Sequence, residues 1–365
     1  MSSPREIEGM NEKVYKSIKM SYEFLQSNEA KSLLLLCSLH GEDDDIKVED
    51  LLRYGVGWGL FDNVDTIEGA RCRVHSLVER LKDSSLLLDG DDNGTVKMHD
   101  VIRDVVINIA SEEKHMFTIR TAIELQNLSK REDAVAISLP YINDNSELPN
   151  QFEYSKLELL LLFDQKIDFS IPDSFFEELK DLKVLKLSES WSEVLPSSLS
   201  SLENLQTLCL DGYVVQNAII IGELKNLKAL SLSLSDIKRL PKEIGQLTHL
   251  QLLDLRKCSE LKFIPPNVLS NLKMSEELYL PDYVEWEVEA QSTESINAMV
   301  SELDGLAELT KLHICIENAK ILQDTKFFER LKSYRIAIGS AWDLNETWET
   351  SRILKLKISF QSDCL

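Results

Sequence analysis

Two Cys-x-x-His pairs, Cys37/His40 and Cys72/His75, are the first spacings in this 365-residue sequence with chemistry to offer. Residues three apart share a helix face, so each pair could present a thiolate and an imidazole to zinc. Ordinary helix positions that happen to fall 35 residues apart account for them more simply. A third histidine, His99, stands between Met98 and Asp100, directly ahead of a Val-Ile-Arg-Asp-Val-Val-Ile segment of helical character. The start of a helix favours an anion, and His99 stands beside one. Asp100 can accept from the free N–H groups there, a cap worth about 1 kcal/mol. The sequence contains no G-x-x-x-x-G-K-[ST] loop, nucleophile elbow or pair of catalytic carboxylates. It reads as a non-enzyme.

The elements that hold these residues are built from globular composition, 43% apolar and 28% charged. The net charge of −22 argues against a protein that coats nucleic acid or an anionic lipid surface. No apolar run approaches the roughly 18 residues of a membrane span, and the N-terminus lacks the apolar core of a signal peptide. The six cysteines are therefore expected as reduced thiols, several of them small core residues. A cytoplasmic chain is expected.

Internal periodicity is the strongest signal. The unit apolar-x-x-apolar-x-apolar begins at Ala134, Leu157, Leu182, Leu205, Leu227, Leu250, Ser275, Leu309, Leu331 and Ile353. All but one of the offsets lie within 22–25, inside the window of leucine-rich repeats. In Leu227-Lys-Ala-Leu230-Ser-Leu232, residues two apart fall on one face of a strand, with Ala229, Ser231 and Ser233 on the other. Leu195-Pro196 and Leu240-Pro241 mark the turn out of the strand, since proline fixes φ and lacks an N–H. One unit cannot bury its leucines alone; stacked units bury them as a column. The expected fold is an α+β (α/β solenoid) chain with a leucine-rich-repeat horseshoe of parallel strands and about ten repeats over 134–365. The 34-residue offset holds the acidic stretch Glu285–Glu294 and predicts an insertion near 283–303. With no polar cap after the last unit, the array is expected to be truncated.

The outward strand positions would line a concave, partner-binding surface. They are Thr207, Asp211, Ser231, Ser233, Asp254 and Arg256 in the early and middle units, and Lys311, His313, Arg335, Lys355 and Lys357 in the later ones. A basic distal stripe on an acidic molecule suits an acidic patch on a partner, another segment of the same protein included.

Ahead of the repeats the apolar period becomes helical, over 14–25, 30–39, 48–61 and 67–81. Two short strands (85–88 and 95–98) flank Asp89-Gly-Asp-Asp-Asn-Gly94, a hairpin signal, and a helix follows over 101–110. Helices followed by such a wing describe a winged-helix domain, expected over 1–116, with 117–133 connecting it to the solenoid. Residues 1–135 hold 17 Lys+Arg against 26 Asp+Glu, and the wing itself is acidic, so direct DNA reading is not expected.

Met98-His99-Asp100, between a wing strand and a helix, resembles the MHD motif of plant nucleotide-binding leucine-rich-repeat disease-resistance receptors of the coiled-coil branch. Lys19-Met-Ser-Tyr-Glu-Phe-Leu25 and Leu33-Leu-Leu-Leu-Cys-Ser-Leu39 are similar to that family's second ARC subdomain, and the order of winged helix then repeats also matches. The resemblance implies a C-terminal fragment of an intracellular immune receptor. His99 would then be the sensor of the ADP phosphate, with Met98 and Asp100 as its scaffold, and the solenoid would recognise protein and restrain the switch. Implied partners are a pathogen effector or guarded host protein and the receptor's own nucleotide-binding and N-terminal domains, with no direct nucleic acid and no membrane span. The family binds ADP or ATP at full length. This chain, lacking a phosphate loop, is expected to bind neither cofactor by itself. The rival reading is a leucine-rich-repeat substrate-recognition subunit of a ubiquitin ligase.

Overall fold

In the computed structural model, residues 12–119, 124, 133–140, 148, 154–163, 171–188, 194–213, 218–281, 300–316, 322, 325–338 and 352–356 are described. Helices occupy the N-terminal part: α1 (Glu12–Glu23), α2 (Asn28–Cys37), α3 (Val48–Trp58), α4 (Ile67–Asp83) and α5 (Asp100–Lys114). Ser27 and Thr66 accept N–H groups at the starts of α2 and α4, as capping residues do. Gly59, at φ 72°, ends α3 in the left-handed region that glycine enters without penalty. The wing strands are β2 (Leu88–Asp89) and β3 (Thr95–Lys97), and a strand not anticipated from sequence, β1 (Ile46–Lys47), pairs with β3 on its other side. Two residues are too few for periodicity to reveal it.

The solenoid sheet is parallel, with its eleven strands stacked in chain order. All ten repeat units supply strands: β5 (Ala136–Leu139), β6 (Leu159–Leu162), β7 (Val184–Leu187), β8 (Thr207–Cys209), β9 (Ala229–Ser231), β10 (Leu252–Asp254), β11 (Glu277–Tyr279), β12 (Lys311–Ile316), β13 (Ser333–Ile338) and β14 (Arg352–Leu356). The eleventh strand, β4 (Met116–Thr118), lies ahead of the first expected repeat and pairs with β5. The sheet thus starts where a connecting segment was expected to begin. In β14 the register places Arg335 opposite Ile353, a shift from the spacing of the earlier units.

Leu160, Leu185, Leu208, Leu230, Leu253, Leu278 and Leu312 sit opposite one another along the sheet and form the buried column the period predicted. Pro196 and Pro241, both near φ −60°, lead into 3-10 turns at Ser197–Ser201 and Lys242–Gln246 that return the chain. Asparagines at one repeat position bind consecutive turns: Asn204 donates to the Lys180 carbonyl at 2.9 Å and Asn226 to that of Glu203 at 2.7 Å. Each satisfies a carbonyl that the turn leaves without a backbone partner. The expected insertion near 283–303 and most of 117–133 lie outside the described residues. No described helix is long and apolar enough to cross a membrane.

Candidate functional site

The concave face of the sheet is covered by the chain's own helices. Its outward residues Ala136, Leu159, Leu161, Val184, Cys209, Ala229, Leu252 and Tyr279 share one apolar core with the inner faces of α2 to α5. Helix α3 lies directly on β7 and β8. A Cβ added at Gly57 would fall 2.4 Å from Thr207 Oγ1 and 2.9 Å from Val184 Cγ2, so only glycine permits this approach. Thr207 Oγ1 donates to the Arg53 carbonyl at 2.8 Å and fixes the helix axially.

Two arginines of the helices carry the seam's charge. Arg53, 4% exposed, places Nη1 3.2 Å from Asp211 and 3.4 Å from Asp50, and Nη2 against Asp254. Asp254 is fully buried and also accepts from the Arg256 backbone N–H at 3.0 Å and from its Nε at 2.9 Å. Burial opposes the charge of Asp254, but Arg256 and Arg53 outweigh it and hold the carboxyl well below the usual carboxylate range. Burial likewise opposes Asp50, yet Lys186 and Arg53 bring it down to about 2. Lys186 reaches from β7 to within 3.4 Å of Asp50. Further along, Arg71 of α4 meets Glu277 through two nitrogens, at 2.6 and 3.3 Å, and also pairs with Glu49. Tyr279 donates its hydroxyl to the same Glu277 at 2.6 Å.

Polar contacts extend the seam along the sheet. Trp58 Nε1 donates to Glu158 at 2.8 Å, the Ile67 N–H donates to Glu276 at 2.8 Å, and Lys332 pairs with Glu68 at 2.5 Å. With Ser138 of β5 donating to the Leu39 carbonyl, the attachment runs from β5 to the edge of β13. Removing one partner of a buried pair strands the other, so these contacts fix which face meets which more than they add net stability.

The structure corrects the expectation of an open partner surface. Thr207, Asp211, Ser231, Asp254 and Arg256 are brought together on the outward face, as their spacing implied, but under α3 rather than in solvent. Ser233 is half-buried just beyond β9. His313 and Arg335 stand opposite each other and are buried, and Lys311 is half-buried with Nζ 5.6 Å from the Tyr279 ring, so these three do not form a solvated stripe. Lys355 lies opposite Ala337 in register, and Lys357 is outside the described residues. The physical reason is the apolar character of the early outward positions, which need a cover. Arg53, Arg71, Trp58 and Gly57 escaped the sequence reading. Two signals could have found them: the Gly-Val-Gly-Trp-Gly run, and arginines within otherwise apolar helix faces.

Met98, His99 and Asp100 also depart from expectation in detail. Met98 is buried in the helical core, whereas the His99 and Asp100 side chains are more than half exposed. His99, not Asp100, occupies the cap position, and Asp100 is the first residue of α5. The Val101 N–H donates to His99 Nδ1 at 3.3 Å and to Asp100 Oδ1 at 2.6 Å. That N–H is thus already taken, and a carboxylate stands beside the ring. An incoming phosphate would meet one imidazole nitrogen and a repelling charge, so these residues by themselves do not fit ADP. Cys37 ends α2 with His40 in the turn beyond it, Cys72 and His75 lie on α4, and among the described residues no three His, Cys, Asp or Glu converge as metal ligands. Cys37 is fully buried, which pushes its thiol up to about 12.

No protein-family model matches the chain. Disease resistance protein At4g27190 of Arabidopsis thaliana is 31% identical over 360 residues, covering 95% of this chain and 36% of that protein. Probable disease resistance protein At4g27220 of the same plant is 37% identical over 204 residues, 54% of this chain and 22% of that one. The chain spans about a third or less of the length of these relatives. Among solved structures, the leucine-rich-repeat ectodomain of the Arabidopsis receptor kinase HAESA aligns with a TM-score of 0.43 at 19% identity, covering 71% of this chain and 42% of that one. Matched in sequence along 95% of its length by the first of these relatives, the chain belongs to the plant disease-resistance proteins with leucine-rich repeats.

Proposed function

We propose that this chain acts in plant defence as the restraining part of an intracellular immune receptor, with the concave face of its solenoid occupied in the resting state by its own helical module. The supporting observation is the pairing of Arg53 with Asp211 and Asp254 beneath α3, beside the close approach of Gly57 to Thr207. A surface so covered is unavailable to a pathogen effector or guarded host protein until the helices leave it. Recognition and release then compete for the same residues, and a partner with an acidic or apolar face could displace the seam. In this reading Met98, His99 and Asp100 form one wall of a nucleotide site whose phosphate-cradling residues lie elsewhere in the longer relatives. His99 reports the bound nucleotide, and the chain acts in the cytoplasm without catalysing a reaction.

The test is charge reversal in leaf tissue, in the longest natural reading frame that contains this chain. Asp254→Arg should raise the resting defence response, and Arg53→Asp combined with Asp254→Arg should bring it back down. Asp100→Val should raise it as well, by unsettling the capped helix behind His99. Resting output unchanged in every variant would refute the restraint.

A further inference from the structure

His40 lies where the helical module meets the repeats, and its surroundings suit an apolar ring better than an imidazole. The side chain is 4% exposed, with its ring centroid 4.9 Å from that of Phe163 on the solenoid and 6.2 Å from that of Tyr54 on α3. Its backbone carbonyl accepts from Nε and Nη2 of Arg103, and the preceding Leu39 carbonyl accepts from Ser138 Oγ on β5, so the turn bearing it is pinned from both modules. Among the described residues the buried Nε2 has no hydrogen-bond partner, and neither has the buried Tyr54 hydroxyl. A buried polar atom left in this condition is destabilising, and a phenylalanine would avoid that.

The charged and titratable groups facing the ring are Asp50 and Tyr54 from α3, Arg103 from α5 and Lys186 from β7. The Lys186 ammonium lies 5.0 Å from the centroid of the Phe163 ring, the same ring that His40 packs against. A proton on His40 in the closed seam would thus add a cation beside Lys186 and Arg103, with Asp50 as the opposing charge, and would lack solvent. When the module leaves, Phe163 and Lys186 leave with the solenoid, and water and the proton become available together.

We propose that His40 is a proton-triggered release: neutral while the helices cover the concave face, protonated when they part, so that acidification opens the seam. This rests on the reading that the covered face is the resting state, and it adds what would regulate that state. Burial first, then Lys186, holds the buried ring down at about 3 against an ordinary value of 6.5. The sign follows from linkage. The closed state is fully favoured above about pH 6.5, and that advantage is lost progressively as pH falls from there toward 3.

Cys209 gives the readout, because it lies on β8 at the concave face, 1% exposed under the module. The full chain is labelled with 4,4′-dithiodipyridine at pH 7.5 and 5.5, and modification at Cys209 is scored by peptide mass relative to the exposed Cys72, which corrects for thiol ionisation. Cys258, buried in the solenoid core, reports loss of the repeats themselves. Normalised Cys209 labelling should rise about tenfold between the two pH values in the unaltered chain, while Cys258 stays protected. His40→Phe and His40→Gln should each hold the change within about twofold, and Lys186→Met should reduce it. Two His40 variants are used so that poor folding of one leaves the other informative, with far-UV circular dichroism as the check. An equal rise in the unaltered chain and a folded His40 variant, no rise at all, or simultaneous exposure of Cys258 would overturn the proposal. Cys209 labelled as fast as Cys72 already at pH 7.5 would instead overturn the covered resting state on which it rests.

Discussion

Gly57→Ala separates the attachment of the helices from their own stability, because the two respond with opposite sign. Within α3 the change is favourable by about 1 kcal/mol, the usual gain of alanine over glycine in a helix interior. Against the sheet it is not. The new Cβ would lie 2.4 Å from Thr207 Oγ1, 2.7 Å from Thr207 Cβ and 2.9 Å from Val184 Cγ2, whereas carbon atoms rest at about 3.5–4.0 Å. Both neighbours are branched, and Thr207 is held by its bond to the Arg53 carbonyl, so neither yields easily. Withdrawing α3 by about 1 Å would relieve the overlap and stretch the bonds of Arg53 to Asp211 and Asp254. Overpacking of this kind costs about 1–3 kcal/mol, so opening of the seam should become roughly five- to 150-fold more frequent. Thiol labelling of Cys209 at neutral pH, with Cys258 as the control, measures that opening directly, and adding Thr207→Ala should restore part of the protection. Labelling of Cys209 unchanged by Gly57→Ala in a folded chain would refute the close approach and the restraint built on it.

Three further outcomes are expected. Arg53→Met should weaken the seam by about 3–5 kcal/mol, since Asp211 and the buried Asp254 lose a partner; denaturant titration with Cys209 labelling measures it, and Arg53→Lys should recover only part, lacking the second nitrogen. Asn226→Ala should lower solenoid stability by about 1 kcal/mol through the bond lost to the Glu203 carbonyl, seen in the urea midpoint with Cys209 labelling at neutral pH nearly unchanged. Calorimetric titration of the chain with ADP should show no micromolar binding, because Val101 and Asp100 already satisfy or oppose what an anion would need at His99; micromolar affinity would contradict that.

The repeats were legible because a stacked solenoid imposes one constraint again and again. A leucine pair two apart every 22–25 residues can only be buried by neighbours of the same kind, and the observed column from Leu160 to Leu312 follows from that. The helices and the second wing strand were legible from apolar period and turn residues, whereas the first wing strand, expected over 85–88, lies at Leu88–Asp89 and the two-residue β1 went unseen. The shift of β14 was not, because a short apolar segment fits a parallel neighbour in more than one register.

The covered face was half-written in the sequence. Leu159-Leu160-Leu161-Leu162 is apolar on both sides, as are the outward Val184, Ala229 and Leu252, and a strand apolar on both faces needs a layer on each. What the sequence could not supply was the identity of the second layer. Arg53 and Asp254 are 201 residues apart, and nothing in their local patterns links them. Gly57 reads locally as a weak point in a helix, and only the strand beneath it makes it a requirement. Local periodicity determined the elements, since each must bury its own apolar stripe; the tertiary structure alone decided which charges meet, since that depends on how distant segments stack.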